Sequence, residues 1–122
     1  TDTANLSQEY YYQEYYKNGN IRIQGLENQK VKKGEWYFYY PNGNINAKLN
    51  FQNNLLDGPV ILYTTNGEIE FQDVAIDGIL KQKNKQILAF INDELNLLKS
   101  NSIWTDSLKT TVDSLEKILN KK

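Results

Sequence analysis

The sequence predicts an α+β fold: a single-layer antiparallel β-meander of about three stacked hairpins, followed by a C-terminal two-helix hairpin. Three observations predict it. The stretches YYKNGNI, YYPNGNI and YTTNGEI place Asn-Gly pairs at 18–19, 42–43 and 66–67, a spacing of 24 residues. Apolar and polar residues alternate on both sides of these pairs, the period of a half-buried strand. From about Asn84 the apolar period becomes helical. The chain therefore divides into a flexible N-terminus (1–8), hairpin repeats (9–83) and a helical hairpin (84–122).

Asn-Gly between alternating residues is a strong hairpin signal, because a type I′ turn needs positive φ at both central positions. With Asn42 and Gly43 as those positions, Tyr40 faces Ile45, Phe38 faces Ala47, Trp36 faces Leu49 and Gly34 faces Phe51. The opposite face pairs Tyr39 with Asn46, Tyr37 with Lys48 and Glu35 with Asn50. Turn and hydrophobic pattern thus demand one register. Around Asn66-Gly67, Thr64 faces Ile69 and Leu62 faces Phe71. Around Asn18-Gly19, Tyr16 faces Ile21, but Glu14 falls opposite Ile23, so this hairpin is less clean. Gly34 and Gly58 mark a second landmark with the same spacing, and Trp36 follows the first of them. Gly78 is expected to match them in a shortened third unit, with Asp77-Gly78 a further turn before a short strand at 79–83. Repeats of this kind cannot bury a face alone and share one core by stacking.

In the last third, Ile87, Leu88, Phe90, Ile91, Leu95 and Leu98 recur at helical spacing, predicting a helix over about 84–100. The segment KSNSIWTD breaks the pattern. Leu108, Val112, Leu115, Ile118 and Leu119 then form a second stripe, ending near Lys121 and Lys122. These two helices are expected to close the last strand or to lie over one face of the sheet.

Composition narrows the chemistry. The chain of 122 residues has no Cys, no His and no Met. Disulfide and thiolate chemistry are thereby excluded, as are histidine bases and histidine metal ligands. No glycine-rich phosphate loop or calcium loop is present, so no catalytic residue, metal or cofactor is expected. Net charge is −1, divided as −4 over residues 1–80 and +3 over 81–122. There is no basic stripe for nucleic acid. The local cluster Lys30, Lys32 and Lys33 reads as a solvated loop. No apolar run reaches the roughly 18 residues of a membrane span. The polar start TDTANLSQ suits a segment following a removed export or lipoprotein signal. The expected location is therefore periplasmic or outer-membrane-associated, with the cytoplasm as alternative.

The quoted repeats, with GEWYFYY between them, resemble the bacterial variant of the MORN repeat over about residues 10–78. The resemblance implies antiparallel hairpins stacked in a row, with no catalytic residues to carry over. It also implies the roles of its relatives, which are antitoxin or immunity components and envelope lipoproteins.

The remaining signal is aromatic: nine Tyr, most of them in the repeats. The register puts Tyr15, Tyr39 and Tyr63 in a row on the face opposite Trp36 and Tyr40, extended by Tyr11 and Tyr37. Tyrosine gives rigid contact area with a polar tip, as binding surfaces require. The alternative is that the C-terminal helices cover this row and make it core. The expected function is a non-catalytic protein-binding module with a toxin or an envelope-complex subunit as partner. A structural envelope lipoprotein and a carbohydrate-binding module are the alternatives.

Overall fold

The computed structural model describes residues 9–28 and 31–97. Its strands are β1 (Glu9–Tyr15), β2 (Ile21–Asn28), β3 (Val31–Tyr39), β4 (Ile45–Gln52), β5 (Leu55–Leu56), β6 (Gly58–Tyr63), β7 (Ile69–Ile76) and β8 (Ile79–Leu80), followed by helix α1 (Lys85–Leu97). All strands pair antiparallel in one eight-stranded sheet of order β1-β2-β3-β4-β6-β7-β8, with β5 on β4. The predicted meander is therefore present. The described residues hold one helix rather than the expected two, and the second stripe, Leu108 to Leu119, lies outside them.

The register of the middle hairpin follows the hydrophobic pattern from Gly34↔Phe51 to Phe38↔Ala47. Nearer the turn it departs, because Tyr39 rather than Tyr40 pairs with Ile45 across a bulge. The expected type I′ geometry at Asn-Gly is wrong for a visible reason. Gly43 has φ 96°, but Asn42 is not in the positive-φ region. The Gly43 N–H donates to the Tyr40 carbonyl at 2.9 Å, and the Tyr40 N–H to the Asn44 carbonyl at 2.8 Å. This is a wider turn with one left-handed glycine and a bulge. It recurs with the same bonds at Tyr16–Asn20 and Thr64–Glu68.

Type I′ turns do occur, at Asn53-Asn54 (φ 51° and 73°) and Asp77-Gly78 (φ 50° and 87°). They join β4 to β5 and β7 to β8. Gly78 therefore corresponds to Asn54, not to Gly58, and the third unit is not shortened at this point. Backbone bonds agree, since Asn54 N–H donates to the Lys32 carbonyl and Gly78 N–H to the Leu56 carbonyl. The strand expected at 79–83 ends at Leu80.

One face of the sheet carries the core. Ile23, Trp36, Phe38, Ala47, Leu49, Phe51, Leu56, Val60, Leu62, Ala75 and Leu80 are buried there, and Ile87 and Ile91 of α1 lie against them. Phe90 meets Phe38 edge-on at 5.3 Å between ring centroids. Asn84 caps the helix, its side-chain oxygen accepting the Ile87 N–H at 3.0 Å. Buried Asp73 holds the connection by accepting the N–H groups of Val74, Gln82 and Asn84. Lys32 departs from the solvated-loop reading, being 1 % exposed at the position that Leu56 and Leu80 occupy in the other units.

Candidate binding surface

Alternation along each strand fixes what faces away from α1. With Tyr12 and Glu14 turned inward, β1 presents Tyr11, Gln13 and Tyr15 outward. Leu26 and Gln24 follow from β2, then Glu35, Tyr37 and Tyr39 from β3, Lys48 and Asn50 from β4, and Pro59, Ile61 and Tyr63 from β6. Strands β7 and β8 add Gln72, Val74, Ile76 and Ile79. The five tyrosines singled out from the sequence, Tyr11, Tyr15, Tyr37, Tyr39 and Tyr63, thus share the face opposite the helix. Tyr11 is 68 % and Tyr15 55 % exposed, while Tyr37, Tyr39 and Tyr63 are half-buried.

These side chains brace one another. Tyr15 donates to Gln13 at 3.0 Å, Gln13 to Gln24 at 3.1 Å, and Gln24 to the Tyr39 hydroxyl oxygen at 2.7 Å. The rings of Tyr37 and Tyr39 stack with centroids 6.4 Å apart. The Tyr37 hydroxyl donates to Glu35, and Lys48 lies 3.6 Å from the same carboxylate. That hydrogen bond, followed by burial and the charge of Glu35, pushes Tyr37 up to about 12. The Glu35 carboxyl is held below its ordinary range, by the Tyr37 hydrogen bond first and then by Lys48. At neutral pH Tyr37 therefore carries no charge, and the Glu35 carboxylate is ionised beside Lys48.

The aliphatic members, Leu26, Ile61, Val74, Ile76 and Ile79, were not singled out from the sequence. In VILY and VAIDGIL the apolar residues run on without polar alternation, so periodicity does not say which of them turn outward. Val74, Ile76 and Ile79 are 43, 53 and 40 % exposed.

The turn residues carry more than backbone geometry. Gly19 and Gly67 repeat the left-handed conformation of Gly43, at φ 93° each, and Gly34 and Gly58 take φ 74° and 113° within their strands. The Asn42 side-chain oxygen accepts the Asn44 N–H at 2.9 Å, as that of Asn18 accepts the Asn20 N–H at 2.8 Å. The amides of Asn20 and Asn44 donate to the Pro41 and Thr65 carbonyls of the following unit, both at 2.7 Å. Tyr16 and Tyr40 likewise donate to the Tyr39 and Tyr63 carbonyls, at 2.5 and 2.6 Å. Each turn is thus stitched to the next. At the third turn Thr64 closes the series, its hydroxyl accepting the N–H groups of Asn66 and Glu68.

Residues 32–53 match the family described as MORN repeat variant. No curated protein and no solved structure matches the chain. The match covers most of β3 and β4, and the same turn recurs 24 residues to either side. The chain accordingly carries a MORN-type repeat, set within a sheet of three like hairpins.

Proposed function

We propose that the chain is a non-catalytic protein-binding module that engages its partner through the outer face of the sheet. One observation carries this reading: Tyr11, Tyr15, Tyr37, Tyr39 and Tyr63 lie together with Ile61, Val74, Ile76 and Ile79 on the face that α1 does not cover. Solvated faces of antiparallel sheets are ordinarily polar, and contiguous exposed apolar surface marks an interaction site. Tyr37 and Tyr39 stack on each other rather than offering a free flat ring, which favours a protein over a stacked sugar. A scaffold role fits the MORN-type repeat. The finer assignment to an immunity or antitoxin protein, blocking a toxin by occlusion, rests on the resemblance of the repeats alone.

The test is affinity capture with wild-type protein and with the Tyr39→Ala/Tyr63→Ala variant, alongside thermal melts. The expected result is loss of a specific protein partner with little change in melting temperature. A variant that melts far below wild type and still retains every partner would make the row a structural element and overturn the proposal.

A further inference from the structure

The outer face is not uniform. Its β1–β3 half is aromatic, with Tyr11, Tyr15, Tyr37 and Tyr39. Its β6–β8 half is chiefly aliphatic, with Ile61, Val74, Ile76 and Ile79. Strand β4 lies between them as the central member of the seven-strand path. The pairings also set the level of each residue along the strands. Tyr37 is level with Lys48, and Lys48 with Ile61. Tyr11 is paired with Leu26 and Leu26 with Lys33, at the end of the sheet where Ile76 is paired with Ile79.

We propose that a second copy of this chain occupies the outer face, giving a two-sheet sandwich whose twofold axis runs along β4. This rests on the reading of that face as a protein-binding surface and names its occupant. Rotation about β4 exchanges the two halves of the face while keeping each residue's level along the strand. Tyr11 of one copy then lies over Ile79 of the other, Leu26 over Ile76, and Tyr37 over Ile61. An isologous interface requires such self-complementarity, with the same patch used on both subunits.

Charge permits the arrangement, because Lys48 near the axis is already matched by Glu35 at 3.6 Å, and Lys33, paired with Leu26, stands at the end of the sheet, where its stem can lie along the face with the ammonium in water. Size permits it as well. Seven strands about 4.8 Å apart and about seven residues long form a face of about 30 Å by 23 Å. Two such faces in contact remove about 1,300 Å² from water, within the range of specific interfaces. Sheets packed this way lie about 10 Å apart with strands about 30° off parallel, an offset that their own twist supplies.

The experiment is sedimentation of the full chain over a concentration series, for wild type, Tyr11→Glu and Ile79→Lys. Wild type is expected to dimerise, and each variant to dissociate at least about tenfold more readily. Both substitutions are at exposed positions, and circular dichroism checks that each variant folds. Mixing the variants one to one should restore a dimer. One of its two symmetry-related contacts then sets the introduced carboxylate over the introduced ammonium, and the other keeps the wild-type Tyr11 and Ile79. A wild-type chain that stays monomeric overturns the proposal, as does a wild-type dimer that both variants leave intact or a mixture that fails to re-dimerise. Monomeric wild type that still loses a captured partner on Tyr39→Ala/Tyr63→Ala substitution would sink the second copy and leave the protein-binding reading standing. Monomer that floats with lipid vesicles would put a lipid surface on the face and overturn both.

Discussion

At the scale of the residue, the tightest constraint falls on Gly25. A Cβ at this position would sit 2.0 Å from Trp36 Cδ2, because the indole lies across the glycine. The ring is fixed there by its Nε1–H, which donates to the Leu26 carbonyl at 3.1 Å, and by Tyr12 with centroids 5.7 Å apart. Gly25→Ala is expected to destabilise the fold by about 3 kcal/mol through overpacking, read as a lower urea midpoint at unchanged slope. In the next unit these two places hold Leu49 with Val60, a larger residue beside a smaller one. Gly25→Ala/Trp36→Leu should therefore be more stable than the sum of the single changes allows. Trp36 was legible in the sequence as a landmark of the repeat. Gly25 was not, because the residue that forbids a side chain stands eleven positions away, and no local pattern connects them.

At the scale of the element, hairpins were legible because turn spacing and strand alternation specify the same pairs. The turn type was not, since Asn-Gly serves two geometries and only the bonds around Tyr40 distinguish them. The hydroxyl of Tyr40 donates to the Tyr63 carbonyl in the next hairpin. Tyr40→Phe leaves that carbonyl without this donor, and the expected cost is about 1 kcal/mol, measured by chemical denaturation. The polar intrusion at Glu14 also has an element-scale cause. Glu14 meets Arg22 at 3.3 Å, and Arg22 meets Glu94 of α1 at 3.2 Å, so the chain of charges ties the helix to the first hairpin. Burial works against the charge of Arg22, yet Glu94 and Glu14 outweigh it and raise its pKa. Burial raises Glu94 above the ordinary carboxyl value despite Arg22. Arg22→Ala would leave Glu94 buried without this cation, at a cost of about 3 kcal/mol near neutral pH. A carboxyl group whose folded pKa is raised is penalised above that pKa and relieved below it. The gap between variant and wild type should therefore narrow as pH falls from neutrality into the acid range. A gap that stays constant with pH would mean that Glu94 is not the group left stranded.

At the scale of the whole molecule, the three hairpins are alike in backbone, and one buried cross-strand pair changes from apolar to charged. Cross-strand partners Phe51 with Leu56 and Ala75 with Leu80 are matched in the first unit by Glu27 with Lys32. Both charged residues are buried, with Lys32 Nζ 3.9 Å from the Glu27 carboxylate and 5.7 Å from the Trp36 ring centroid. Three lysines within four residues look like a solvated loop, and only the 24-residue phase reveals that Lys32 stands in a leucine position. Burial pushes Lys32 down to about 8, against the opposing pull of Glu27. The unfolded chain holds that proton up to about pH 10.4, so between these values it binds more protons than the folded chain does. Stability should accordingly rise with pH from about 8. Above about pH 10 the trend reverses. Tyr12, through burial and its bond to Glu14, and Tyr37, through its bond to Glu35, are both pushed up to about 12 and stay protonated only when folded. Urea midpoints measured from pH 7 to pH 11 should therefore pass through a maximum between about 9 and 10. Restoring the apolar pattern with Glu27→Leu/Lys32→Leu should abolish the rise and leave the fold at least as stable at pH 7, as replacement of buried ion pairs often does. A wild-type midpoint that is flat from pH 8 to pH 10 would show Lys32 to be charged and well solvated by its neighbours, and the leucine-position account of the first hairpin would fail with it.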